Sequence, residues 1–408
     1  MQTALADDIK DTPEGREADA ILRTCVHCGF CLATCPTYLL LGDERDSPRG
    51  RIYLMKQVLE GREVSRATQV HLDRCLTCRN CETTCPSGVT YGHLVDIGRK
   101  VVEERVTRPW HQRLVRYALR QFLPRRWLFT PALRLGQAVR PLLPGLLKGH
   151  VPPRRRALPW PKTVHPRKML VLQGCVQPAF EPDIHPAAAR VLDRLGITLV
   201  TAKDGCCGAV NYHLNAHEAG RDQMRRNIDA WWPEVEAGAE AIVMTASGCG
   251  AMVKDYGHAL GDDPQYAAKA ARISDLTRDL AEVLQGEDLS KLAPSRPGSR
   301  IAFHPPCTLQ HGQKLSGVVE RLLRGAGYEL TYVPDAHLCC GSAGTYSLLQ
   351  PALSHQLLDN KLKALQTQGP DLIATANIGC LVHLQGGASV PVRHWVELLD
   401  PASRAPGP

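Results

Sequence analysis

The sequence predicts a mixed architecture: an α-helical, cysteine-rich N-terminal domain followed by a duplicated, pseudo-symmetric α/β domain. Three observations carry this reading. The 408 residues include 16 cysteines, and all of them fall in clusters. The string CVHCGFCLATCP (Cys25 to Pro36) returns as CLTCRNCETTCP (Cys75 to Pro86) fifty residues on. Within residues 169–408, three further cysteine-bearing strings each occur twice, at offsets of 132, 133 and 131 residues.

Residues 1–105 hold the first repeat. Between its copies lies SPRGRIYLMKQVLEG, where Ser47 is placed to cap a helix, Pro48 to start it and Gly61 to end it. The region therefore reads as loops joined by helices, with little strand signal. Residues 106–168 are rich in Arg, Pro and Leu and nearly free of acid. Prolines interrupt helices, so this stretch reads as a basic connector of short amphipathic helices ending in an extended strap. Its apolar faces suit either the neighbouring domains or an anionic membrane surface.

Residues 169–290 and 291–408 form the second repeat. MLVLQGC (ending at Cys175) pairs with IAFHPPC (ending at Cys307). GCCGAVNYHL (Cys206, Cys207) pairs with LCCGSAGTYSLL (Cys339, Cys340), and AIVMTASGCGAM (Cys249) with LIATANIGCLVH (Cys380). In each half, β-rich runs precede the cysteines, and amphipathic helices such as AAARVLDRLGI and VVERLLRGAGY follow. Ligands of open α/β sheets bind beyond the carboxyl ends of the strands, which is where these cysteines fall.

Composition narrows the function. The N-terminus lacks the charged and apolar regions of a secretory signal. That context keeps thiols reduced and points clustered cysteines to metal or redox chemistry. No apolar run approaches the roughly 18–20 residues that span a bilayer, so the chain reads as soluble or peripheral; with the basic connector, a cytoplasmic chain peripheral on the cytoplasmic face of the inner membrane is expected. The net charge of +8 comes with no nucleic-acid-binding motif, and no nucleic acid is expected as a partner. No G-x-G-x-x-G opens a strand–helix unit, so neither FAD nor NAD is expected on this chain.

A C-x2-C-x2-C run curls to present three thiolates to one cluster, and in two-cluster ferredoxins the fourth cysteine, before proline, serves the other cluster. The pattern written twice therefore predicts two [4Fe–4S] clusters with exchanged ligands. One set is Cys25, Cys28, Cys31 and Cys85; the other is Cys75, Cys78, Cys81 and Cys35. Zinc, the rival for C-x2-C pairs, gives no reason for the letter-for-letter repeat. His27 and Asn80 lie inside the motifs as non-ligands. Such clusters move single electrons and supply no general base, so no catalytic residue is assigned here.

The CCG pairs resemble the cysteine-rich domain of heterodisulfide reductases, anaerobic glycerol-3-phosphate dehydrogenase and lactate-utilisation proteins. The resemblance implies further iron–sulfur sites at Cys175, Cys206, Cys207, Cys249 and at Cys307, Cys339, Cys340, Cys380. The closing C-x-x-C departs from that pattern, reading CGAM to Met252 and CLVH to His383. The halves therefore hold a metal or stand metal-free as a docking platform. Thiol–disulfide exchange is a further alternative.

LDRCLTCRNCETTCPSG, NIDAWWPEVEAGAEAI, TASGCGA, HLCCGSAGTYSLLQP, TANIGC and VRHWVELL, in this order, resemble the iron–sulfur subunits of glycolate oxidases (glycolate dehydrogenases). The resemblance implies a multisubunit oxidoreductase that oxidises glycolate to glyoxylate on an FAD-binding subunit. This chain would then pass the electrons to a membrane acceptor such as quinone. The iron–sulfur subunit of anaerobic glycerol-3-phosphate dehydrogenase, or a heterodisulfide-reductase-like enzyme, is the alternative.

Overall fold

The computed structural model describes residues 1–142, 144, 151–292 and 295–403. Part of the connector, residues 143 and 145–150, lies outside the described residues. The chain forms two compact units: Met1–Tyr117 with His337–Lys361, and Ala118–Ala336 with Leu362–Pro408.

The first unit is helical. Helix α1 (Pro13–Thr24) starts on Thr12, whose side chain accepts from the Gly15 N–H. Two short pieces follow: α2 (Pro36–Leu41) directly after Cys35, then α3 (Pro48–Leu59). In α3, Ser47 caps the Gly50 N–H and Pro48 opens the first turn, as the sequence predicts. Helix α4 (Arg66–Asp73) leads into the second motif, α5 (Asn80–Thr84) lies within it, and α6 (Tyr91–Arg105) follows. Prolines at helix starts remove an N–H that would have no partner there anyway. Ala18, Leu22, Met55, Leu59, Leu72, Leu94, Val95 and Val102 form the core. Cys25 and Cys75 sit at its edge, so burying this aliphatic stripe also anchors the first thiol of each motif.

Residues 337–361 of the second repeat belong to this unit, an assignment that sequence boundaries at 105 and 291 do not express. The Asn80 Nδ2 donates to the Thr34 carbonyl at 3.0 Å and to the His337 carbonyl at 3.2 Å. Asn80 thus ties the two motif loops to the segment carrying Cys339 and Cys340.

Among the described residues the connector holds two α-helices, α7 (Trp110–Phe122) and α8 (Arg126–Val139), the latter extended by a 3-10 turn (Arg140–Leu142), and it runs without helix or strand from 152 to 165. The helices are longer than the prolines suggest, because α8 continues through Pro131. Phe129 is buried in α8, edge-on to Phe122 and Phe180. Aromatic packing of this kind offsets the one hydrogen bond that proline forfeits. On α7, by contrast, Trp110, Leu114, Val115 and Tyr117 are exposed.

The second unit carries two four-stranded parallel sheets with the same order, β2-β1-β3-β4 and β6-β5-β7-β8. The strands are β1 (Arg167–Val171), β2 (Ile197–Thr201), β3 (Ile242–Met244), β4 (Thr277–Asp279), β5 (Arg300–His304), β6 (Glu329–Leu330), β7 (Leu372–Thr375) and β8 (Val392–His394). Register is matched as well: Leu170 opposes Ile242 in one sheet and Ala302 opposes Ile373 in the other. The central strands are buried and apolar, as strands covered on both faces must be. Each last strand feeds a capped helix: Asp279 and Glu282 form a capping box after β4, and His394 and Glu397 form one after β8. The repeat seen in the sequence is therefore a repeat of topology.

Candidate metal centres

The two ferredoxin-type motifs have the same backbone. His27 and Gly29 in the first, and Thr77 and Arg79 in the second, all have φ between 52° and 86°. These are the same two positions of each copy. Left-handed backbone is costly for a β-branched residue such as Thr77, and the surroundings hold it. Arg99 donates to the Thr77 hydroxyl at 2.9 Å and to the Cys75 carbonyl at 2.6 Å. Arg79 pairs with Glu82 at 2.9 Å. A chain curled this way turns its N–H groups toward sulfur: the Thr77 N–H lies 3.3 Å from the Cys75 Sγ, and the His27 N–H bonds Cys25.

Two cavities lie within these loops. The first is lined by Cys25, Cys28, Cys31, Cys81 and Cys85, with Gly29, Ile52 and Tyr91 among its walls. The second is lined by Cys35, Cys75, Cys78 and Cys81, with Thr37, Arg51 and Tyr91. Each cavity is lined by three cysteines of one motif and the proline-preceding cysteine of the other, and Cys81 lines both. None of the sixteen cysteines is in a disulfide. Burial pushes the Cys31 thiol up to about 11 and raises Cys25, Cys35 and Cys81 too. Thiols so placed become thiolates when a cation compensates the charge. An all-sulfur donor set around cavities in strained, repeated loops fits [4Fe–4S] clusters. When bound, such clusters supply reversible one-electron storage.

The cysteines of the first α/β half lie just past the ends of β1, β2 and β3, Cys249 being in the helix Ser247–Lys254. Cys206 and Cys207 are buried, and Cys175 and Cys249 half-buried. Cys206 is influenced by Cys175 and Cys207, and Cys207 by Cys206 and Cys249. Hydrogen bonds from Cys206 and Cys249, then from the Ala209 N–H, hold Cys207 well below the ordinary thiol range. Cys206, bonded by Cys175 and Cys207, and Cys249, bonded by Cys207, lie well above it. Ligands of open parallel sheets bind beyond the strand ends, where these four thiols lie.

The backbone of this pair is fixed by residues that motif reading missed. Asn227 accepts from the Gly205 N–H and donates to the Cys206 carbonyl, both at 2.9 Å. The Tyr256 hydroxyl donates to the Cys207 carbonyl at 2.9 Å. Trp231 donates to Asp204 at 3.0 Å, and Asp204 accepts the Gln173 N–H at 3.1 Å; burial lifts the Asp204 carboxyl to about 6. Asn227 had a signal in the sequence: it is a polar residue on the face shared by Met224, Ile228 and Trp231, all buried.

Cys307 follows β5 and Cys380 lies in the helix Ile378–Gln385 after β7, both buried. Cys339 and Cys340 are buried in the first unit. The glycine after each cysteine pair is demanded by geometry. Gly208 has φ +96°, and a Cβ there would lie 3.0 Å from the Gly220 carbonyl oxygen. Gly341 has φ +89°, and its Cβ would lie 2.6 Å from the Ser354 oxygen.

Thiol sets on a helical module and on a twice-built α/β module define an iron–sulfur protein of the ferredoxin-plus-CCG class. A model described as a 4Fe-4S dicluster domain matches residues 21–89, and one described as a cysteine-rich domain matches 169–254 and 301–385. The chain is 56% identical over 404 residues to the glycolate oxidase iron-sulfur subunit of Escherichia coli (strain K12), covering 98% of this chain and 99% of that one. It is 33% identical to a probable glycolate oxidase iron-sulfur subunit of Bacillus subtilis (strain 168), over 90% and 89% of the two chains. Lactate utilization protein A of Geobacillus kaustophilus is 29% identical over 57% of this chain and 98% of its own length. The chain belongs to the glycolate oxidase iron–sulfur subunit family. It is an iron–sulfur subunit of the electron-transferring, oxidoreductase kind. No helix among the described residues is long and apolar enough to cross a membrane.

Proposed function

We propose that this chain is the electron-transfer subunit of a multisubunit, flavin-dependent glycolate dehydrogenase. Glycolate is oxidised to glyoxylate at FAD on a partner subunit, and the electrons cross this chain to a membrane acceptor such as quinone. Two [4Fe–4S] clusters take Cys25, Cys28, Cys31, Cys85 and Cys75, Cys78, Cys81, Cys35. The observation that carries the reading is the pair of thiol-lined cavities, each completed by the other motif's last cysteine. A hydride-type oxidation releases two electrons and a cluster takes one, so a flavin on a partner must divide the pair.

We further propose a metal centre at Cys175, Cys206, Cys207 and Cys249, supported by their place just beyond the strand ends and the burial of Cys206 and Cys207. The second set, Cys307, Cys339, Cys340 and Cys380, is the corresponding candidate by repeat. Peripheral attachment on the cytoplasmic face of the inner membrane is supported by α7, where Trp110, Leu114 and Tyr117 are exposed among arginines.

Three measurements test this. Isolated chain, purified without oxygen, is expected to show no glycolate oxidation until the flavoprotein is added; turnover by the chain alone refutes the subunit role. Iron and sulfide near ~8 per chain correspond to two clusters, and clearly more to an additional centre. Cys35→Ser is expected to damage the cluster bound by Cys75, Cys78 and Cys81. Loss confined to the cluster of Cys25, Cys28 and Cys31 refutes the exchange of ligands.

A further inference from the structure

We propose that Arg51 raises the reduction potential of the site at Cys35, Cys75, Cys78 and Cys81 above that of its neighbour, making this second site the preferred resting place of an electron held by the pair. The proposal rests on the ligand sets given above.

The Arg51 side chain is 1% exposed and lines the second cavity. One guanidinium nitrogen lies 3.9 Å from the Cys35 Sγ and 3.0 Å from the Thr37 hydroxyl. Its Nε donates to the His71 carbonyl at 2.8 Å. The Cys75 and Cys35 thiols are both within its electrostatic reach. The other guanidinium nitrogen meets Asp46 at 3.2 Å. Asp46 is fully buried, and its second oxygen takes Arg74 at 2.9 Å while His71 Nδ1 lies 3.1 Å from the first. Two arginines therefore answer one carboxylate, and the uncancelled positive charge stands on the sulfur side. The Tyr91 hydroxyl adds a donor to Cys75 at 3.7 Å.

The first cavity is lined by no buried arginine among the described residues; the Met1 amino group, 2.9 Å from the Cys25 carbonyl, is partly open to solvent. The cavity's nearest arginine, Arg49, has a 34% exposed side chain and pairs with Glu44 at 2.8 Å. Solvent and the carboxylate screen such a charge, whereas a buried charge acts through a low dielectric. Adding an electron makes an iron–sulfur site more negative, so a buried cation and hydrogen bonds to its sulfurs favour the reduced form. The inequality between Arg51 and Arg49 thus sets an order between two sites whose motifs are otherwise copies.

The test is an EPR-monitored redox titration of the full chain, with iron counted for every variant. At the wild-type midpoint of the second site, Arg51→Met is expected to lower the reduced-to-oxidised ratio at least tenfold, equivalent to about 59 mV for one electron. The first site should move less than twofold. Arg51→Lys, which keeps the charge, is expected to restore the ratio to within about threefold of wild type. Asp46→Asn removes the opposing charge and is expected to shift the ratio the other way. Arg74→Gln changes a partly exposed residue and should fold where Arg51→Met does not; it is expected to shift the ratio down by a smaller factor. A merely structural arginine would give no such opposition of sign. Two clusters with unshifted ratios, or shifts of one sign in all variants, overturn the role of Arg51 alone. A chain with no second cluster in the wild type overturns the ligand sets, and this role with them.

Discussion

Replacing Gly341 by Ala tests whether the glycine after the cysteine pair serves backbone freedom or close approach. Two costs are separable. A non-glycine residue in left-handed backbone costs about 1–2 kcal/mol. At φ +89° that cost applies to Gly341; at φ +63° it applies equally to Gly344, where a Cβ meets nothing within 4 Å. Gly344→Ala is therefore the internal control. At Gly341 the new Cβ would also stand 2.6 Å from the Ser354 carbonyl oxygen and 2.9 Å from the Leu357 Cβ. Neither atom is the end of a flexible side chain, so the loop must lift from the helix Pro351–Gln366. Overpacking of this kind costs about 1–3 kcal/mol. The sum is about 2–5 kcal/mol for Gly341→Ala against about 1–2 for Gly344→Ala. The lift also strains the bond from the Ser354 hydroxyl to the Gly341 carbonyl, 2.8 Å, and displaces the Gly341 N–H from the Cys339 Sγ, 3.4 Å. Hydrogen–deuterium exchange of residues 337–361 in the intact chain reads the local opening free energy directly. Equal loss of protection in the two variants would refute the close-approach argument and leave conformational freedom as the whole reason for glycine.

Other perturbations have equally definite outcomes. Asn227→Ala leaves the Gly205 N–H and the Cys206 carbonyl without their partner in a buried site; a loss of about 1–3 kcal/mol is expected, with metal retained at the ferredoxin-type motifs and reduced at Cys175, Cys206, Cys207 and Cys249, as elemental analysis will read. His185 is fully sheltered, and burial lowers its pKa from 6.5 to about 4. The unfolded chain therefore takes a proton near pH 6.5 that the folded chain refuses until about pH 4, and stability is lost across that window as pH falls. His185→Gln should become more stable relative to wild type by roughly 1 kcal/mol per pH unit between pH 6.5 and 4.5; denaturant midpoints that run parallel for the two proteins contradict the assignment.

Much of the fold was legible because cysteine spacing and helix-start chemistry are local. Ser47 and Pro48 start α3 as their types dictate, and β1, β3, β5 and β7 each end a few residues before a cysteine. The two thiol-lined cavities follow the motif, since adjacent residues build most of each. What was hidden depended on contacts distant in sequence. Pro131 does not end its helix, because Phe129 finds Phe122 and Phe180. The segment 337–361 joins the first unit through bonds such as that from Asn80, 257 residues away from His337. Arg51 is the sharpest case. It lies on the same helical stripe as Met55 and Val58, all buried. A cation on an apolar face was visible in the sequence; the carboxylate and sulfur that account for it were not.

Duplication also explains why the two α/β halves need not behave alike. Strand order, capped last helices and the left-handed glycine are shared, and in each half a backbone carbonyl from twelve or thirteen residues on presses against that glycine. These are backbone features, and they constrain any sequence that keeps the topology. The side chains around the cysteine pair are free of that constraint. In the first half Asn227 and Tyr256 fix the pair from within one unit. In the second, the pair is carried into the other unit beside Asn80 and Tyr346, a residue whose surroundings include Arg51 and Cys75. A fold that keeps the cysteines of both copies but changes their neighbours divides the two sets between different surroundings. Metal content measured half by half, with Cys207→Ser against Cys340→Ser, is the readout on which that division must appear.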